Sequence, residues 1–210
     1  MHHPPRPSAR RPATAPGGSA VSIPAGAALL LIDFQQGIDD PRHGRRSNPD
    51  AEANAAALLA RWRETGRPVL HVHHASVEPD SPLRPERPGY AVTPGLAPRD
   101  GEPVIVKHAN SAFIGTGLEA RLRDAGIDRL VVAGLTTDHC VSTSVRMAGN
   151  LGFGVILAGD AAATHARTGP DGAVHDPETV HAVALASLHR EFCTVMPTAA
   201  ILAACDPPNR

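Results

Sequence analysis

Apolar residues fall into short, nearly unbroken runs, and the stretches between them have helical or loop composition. Ala27-Ala28-Leu29-Leu30-Leu31-Ile32 is the first run, Val69 to His74 the second, and Pro103 to Lys107 the third. Leu130 to Ala133, Val155 to Ala158 and Phe192 to Val195 follow. Continuous apolar runs of this length, without in–out alternation, predict strands buried on both faces, as in a parallel sheet. Between them, Ala51 to Thr65 has helical composition after Asn48-Pro49-Asp50 and is closed by Gly66. Leu118 to Ala125 reads as a short amphipathic helix before Gly126. A third helix runs from Cys140 to about Ala148, and a fourth from Pro177 to His189 with Val180, Val183, Ala184 and Leu188 along its apolar stripe. Thr198 to Ala204 adds a last turn or two. Residues 37–49 and the proline-rich 75–102 read as loops, and so long a loop inside a compact domain points to functional or interface use. The alternation predicts an α/β fold: a three-layer α/β/α arrangement around a mainly parallel six-stranded sheet.

Composition narrows the picture. A chain of 210 residues fits one domain, expected over 21–205, after a disordered Pro/Arg-rich tail over 1–20. A formal net charge of −1 gives no global field for nucleic acid or an anionic membrane. No apolar run reaches the length of a membrane span. Three scattered cysteines make neither a disulfide framework nor a metal-binding pair, so a reducing, cytoplasmic setting is expected.

Three strand ends carry chemistry. Val131 to Val141 reads as a buried strand, a tight turn at Gly134-Leu135-Thr136-Thr137, and a helix whose first turn bears Cys140. A thiol there feels the positive end of the helix dipole, which favours the thiolate. Asp33 closes the first strand and Lys107 the third. In a parallel sheet these ends share one edge, the edge where such sheets bind ligands. A thiol, a carboxylate and an ammonium together suit amide hydrolysis: nucleophile, proton carrier and charge-balancing cation.

The segments Leu31-Ile32-Asp33-Phe34-Gln35-Gln36, Val106-Lys107-His108-Ala109-Asn110-Ser111-Ala112-Phe113 and Gly134-Leu135-Thr136-Thr137-Asp138-His139-Cys140-Val141 resemble the isochorismatase-like cysteine hydrolases, over about residues 26–200. The resemblance implies a Rossmann-like fold, a Cys140 nucleophile, an Asp33 general acid and base, and Lys107 beside the thiolate. It implies a cis peptide at Leu135–Thr136 that aims the Thr136 and Cys140 N–H groups at one oxyanion. It also implies a homo-oligomer acting on a small amide-type molecule. Isochorismatases proper cleave a vinyl ether and typically lack this cysteine, so its presence favours C–N bond hydrolysis. Two alternatives stand beside this reading. One is a nicotinamidase-like amidase with a metal, for which His71 and His73 share a strand face, although the Asp-x-His element of nicotinamidases is absent. The other is a catalytically idle scaffold of the same fold. The preferred reading needs no metal and no cofactor. Phe34, Ile38, His74, Tyr90 and Phe113 are candidate substrate contacts. Gln35 is expected to be structural, and His139 to point away from Cys140.

Overall fold

The computed structural model describes residues 22–205; the tail expected over 1–20 lies outside them. The described residues form the strands β1 (Ala28–Ile32), β2 (Val69–His74), β3 (Val104–Lys107), β4 (Arg129–Leu135), β5 (Gly154–Ala163), β6 (Arg167–Thr168), β7 (Val174–His175) and β8 (Thr194–Met196). The α-helices are α1 (Ala51–Glu64), α2 (Leu118–Asp124), α3 (Ser142–Asn150), α4 (Pro177–Leu188) and α5 (Thr198–Cys205). Six strands make one sheet in the order β3-β2-β1-β4-β5-β8, and every pairing in it is parallel. β6 and β7 form a separate antiparallel hairpin.

Alternation along the central strands divides the core into two layers. Leu30, Ile32, Leu70, Val72 and Val132 face α2 and α3 through Leu118, Leu122 and Val145. Leu29, Leu31, Val131 and Ala133 face α1 and α5 through Leu58, Leu59, Trp62 and Ile201. Trp62 is fully buried and donates its indole N–H to the Ala27 carbonyl at 2.9 Å, so the polar atom of the largest core residue is satisfied. α4 starts as its sequence predicts: Pro177 occupies the first turn and the Asp176 side chain accepts from the Thr179 N–H. Among the described residues no helix is long and apolar enough to cross a membrane.

Several boundaries differ from expectation. β5 runs through Gly159 and Asp160 to Ala163, because Asp160 is satisfied sideways by the N–H and hydroxyl of Thr198, both at 2.7 Å. β8 starts two residues late because the Cys193 N–H still caps α4 through the Leu188 carbonyl. The 37–49 loop contains two 3-10 turns, Gln36–Asp39 and Pro41–His43. On α4 the expected stripe fails at Val183, which is 63% exposed.

The chain builds outward from β1 to β3, then restarts at β4 and builds the other way. The reversal leaves a crevice beyond the C-terminal ends of β1 and β4.

Candidate active site

Asp33 is the first residue past β1, and its N–H still donates to the Val72 carbonyl of β2 at 2.9 Å. Its φ of 54° turns the chain abruptly out of the sheet, a conformation uncommon outside glycine, asparagine and aspartate. Gln35 locks that turn. Its buried amide accepts from the His74 N–H at 2.8 Å and donates to the His74 and Tyr90 carbonyls. Across the crevice, β4 ends in a cis Leu135–Thr136 peptide followed by a π-helical turn, Thr137–Val141, before α3 begins. Cys140 therefore sits in this wide turn and not at the first turn of a regular helix. The Thr136 carbonyl accepts from both the His139 and Val141 N–H groups at 3.2 Å. Thr137 anchors the turn to α4, with its hydroxyl 2.8 Å from His181 Nδ1.

Lys107 ends β3, and β2 separates it from β1. Its long side chain spans that strand and delivers an ammonium to the centre of the cluster. Nζ lies 2.7 Å from Asp33 Oδ2, 3.2 Å from Cys140 Sγ and 3.1 Å from His74 Nδ1. The Asp33 and Lys107 side chains are both completely buried. Among the described residues Asp33 Oδ1 has no hydrogen-bond partner.

Burial pushes the Asp33 carboxyl above its ordinary range, against the opposing pull of Lys107. Burial, then the Lys107 charge, pushes His74 down to about 4, so its ring is neutral near pH 7 and Nδ1 can accept from the ammonium. Cys140 is pushed up to about 12, first by burial and then by the Asp33 carboxylate, with Lys107 pulling less strongly the other way. Burial and the neighbouring carboxylate thus oppose the thiolate that the helix dipole was expected to favour.

Asp33, His74, Thr136 and Cys140 line one cleft of about 470 Å³. Ile38, Arg42 and His43 form one wall, residues 78–83 a second, and His165 and Arg167 a third. Arg42 ties two walls together by donating to the Asp80 carbonyl at 2.9 Å. Asn110 Oδ1 lies 3.8 Å from the sulfur. Of the five candidate contacts, Ile38 and His74 line the cleft and three lie elsewhere. Phe34 is buried against the α1–α5 layer, Phe113 packs on Phe153 at 6.0 Å, and Tyr90 stands edge-on to His73 at 6.3 Å. Phe34 and Phe113, next to site motifs, are consumed by packing, while Tyr90 is a half-buried residue of the 75–102 loop. The strand-two histidines do not gather. His71 Nε2 meets Glu102 at 2.9 Å, His73 faces Tyr90, and His74 faces Lys107. The donor atoms of Asp33, His74 and Cys140 do lie within 4.8 Å of one another, with the Lys107 ammonium within 3.2 Å of all three residues. His139 is mostly exposed and turns toward Asp138.

The model of the isochorismatase domain matches residues 27–200, which include every element that builds this cleft. The chain belongs to the isochorismatase family. It is 42% identical over 171 residues to the uncharacterized isochorismatase family protein YrdC of Bacillus subtilis, covering 81% of this chain and 91% of that one. A solved structure assigned to the isochorismatase family from Chromobacterium violaceum is 49% identical, with a TM-score of 0.87 over 90% of this chain and 98% of that chain. Maleamate amidohydrolase of Pseudomonas putida is 32% identical over 146 residues, 62% of this chain and 68% of that protein. The isochorismatase fold here also brings Asn110, His165 and Arg167 to the cleft, which the pattern of apolar runs did not single out. Arg167 donates Nε to Asp138 at 2.7 Å and stands 3.4 Å from the Thr136 hydroxyl. The missed signal was β5: continued to Ala163, it places residues 164–167 at a strand's C-terminal end, the edge at which open parallel sheets generally bind ligands.

Proposed function

We propose that this protein is a cysteine-dependent hydrolase that cleaves the C–N bond of a small amide or ureide through a thioester. The observation that carries the reading is the convergence of Asp33, Lys107 and Cys140, from three strands, around one ammonium. A completely buried ion pair is a costly way to build a scaffold, where apolar residues of similar volume serve as well or better. The kinship with a protein named as an amidohydrolase supports the same reaction class.

In this mechanism Asp33 takes the Cys140 proton as sulfur attacks the carbonyl carbon and the S–C bond forms. The carbonyl π electrons move to oxygen, where the N–H groups of Thr136 and Cys140 are proposed to stabilise the negative charge. Collapse of this intermediate breaks the C–N bond, and Asp33 returns the proton to the departing nitrogen. Water then attacks the thioester, Asp33 accepts its proton, and cleavage of the S–C bond regenerates the thiol. Lys107 stays cationic and offsets the charge that passes between carboxylate and sulfur. A raised thiol pKa is compatible with this sequence because deprotonation and attack are coupled through the neighbouring carboxylate.

Screening small amides and ureides for ammonia or amine release tests the proposal. Cys140→Ala should lower turnover by about 10⁴-fold or more with an unchanged melting curve. Intact mass spectrometry of a slow substrate should show an acyl adduct on Cys140. Undiminished release by the Cys140→Ala variant would overturn the mechanism.

A further inference from the structure

Among the described residues, buried side-chain nitrogens or oxygens without a hydrogen-bond partner occur on Asp33, Arg67 and His165. Asp33 and His165 line the same cleft. Asp33 Oδ2 meets the Lys107 ammonium, and Oδ1 belongs to the group that moves protons in the proposed reaction. His165 takes no part in that chemistry. It is only 4% exposed, and its Nε2 lies 3.1 Å from the Ile38 carbonyl oxygen. A carbonyl can only accept, so Nε2 carries the ring proton, and Nδ1 of the neutral ring is left as an acceptor. That acceptor is the atom without a partner. Leaving it so costs free energy that a ligand donor would recover.

We infer that His165 Nδ1 is a substrate-recognition acceptor, taking an N–H or O–H from the part of the substrate that lies away from the scissile carbonyl. This inference rests on the cysteine-hydrolase reading and narrows its substrate class to small amides or ureides that carry a second hydrogen-bond donor. Nδ1 is shielded from solvent. His43, exposed on the neighbouring wall, has its ring 5.4 Å from that of His165, and the inference requires that this exposed side chain move to admit the donor. A substrate carboxylate is served less well on this side. Of the cations nearby, Arg167 has its Nε and Nη2 already committed to Asp138, and Arg42 bonds Asp40 and the Asp80 carbonyl.

The test uses paired thiol reagents and does not depend on turnover. N-(2-hydroxyethyl)iodoacetamide and N-propyliodoacetamide have the same number of heavy atoms and differ in one donor. Both are extended by one and two methylenes to cover the span from sulfur to imidazole. Labelling of Cys140 is followed by intact mass and peptide mapping in the wild type, His165→Phe and His165→Gln. At one chain length the hydroxyl reagent should label the wild type roughly tenfold faster, the discrimination expected of one hydrogen bond. The ratio should fall to about one in His165→Phe and survive in part in His165→Gln, whose amide oxygen still accepts. A merely structural histidine would change both rates together and leave the ratio intact. Equal rates for the wild-type pair at every length overturn the inference without any variant, as does a ratio that His165→Phe leaves untouched. Loss of ammonia release in Cys140→Ala decides the hydrolase reading separately.

Discussion

A methyl group on Gly134 would stand 2.5 Å from the Ile32 carbonyl oxygen and 2.7 Å from the Ile32 Cβ. Those neighbours belong to the rigid end of β1, immediately before Asp33, so β1 and β4 would have to separate where the carboxylate and the cysteine turn face each other. Gly134→Ala should therefore lower stability by about 1–3 kcal/mol, seen as a lower melting temperature, and should reduce amide turnover as well. The protonation of Asp33 sets a second expectation at this scale. The proposed base works as a carboxylate, so activity is present above its pKa and is lost as pH falls through it. Burial raises that pKa above the ordinary 3.8, so the acid limb of kcat/KM should lie above the usual carboxylate range. A pH profile that stays flat down to about pH 4 would contradict Asp33 as the base.

At the level of elements, the long 75–102 connection ends in a latch. Glu102 accepts from Arg63 Nε at 2.7 Å and Nη2 at 2.8 Å, from the Arg99 N–H at 2.9 Å, and pairs with His71 Nε2 at 2.9 Å. The Arg63 hydrogen bonds lead the forces that hold its carboxyl down at about 2. A depressed carboxylate stabilises the fold fully above its unfolded value of 4.5, and the contribution is lost as pH falls toward 2. Glu102→Gln should cost about 2 kcal/mol at pH 7, in the range of a charge-assisted hydrogen bond. It should also flatten the acid loss of stability, as followed by urea unfolding from pH 7 to pH 3. The elements most legible in sequence were those like β1 and β4, whose apolar runs are unbroken and end in chemistry. β5 was cut short because Gly159 and Asp160 look like a turn, and the Thr198 contacts that make Asp160 tolerable are 38 residues away. The π-turn around Cys140 was not legible, since its composition is that of an ordinary helix start.

For the whole molecule, apolar runs announce how deeply a strand is buried but not which strand lies beside it. The sequence therefore indicated that Asp33, Lys107 and Cys140 share an edge, while only the order β3-β2-β1-β4-β5-β8 shows that a lysine two strands from Asp33 has the reach to meet it. The walls formed by residues 38–43, 78–83 and 164–167 come from turns and loops, where pattern carries little information about direction. The ammonium's place among an oxygen, a nitrogen and a sulfur has one more consequence. That trio is a ligand set a zinc ion accepts, and the lysine keeps it closed by standing where the ion would stand. Lys107→Ala should turn the enzyme into a metal trap, with about one equivalent of zinc surviving desalting in the variant and none above background in the parent protein, by elemental analysis.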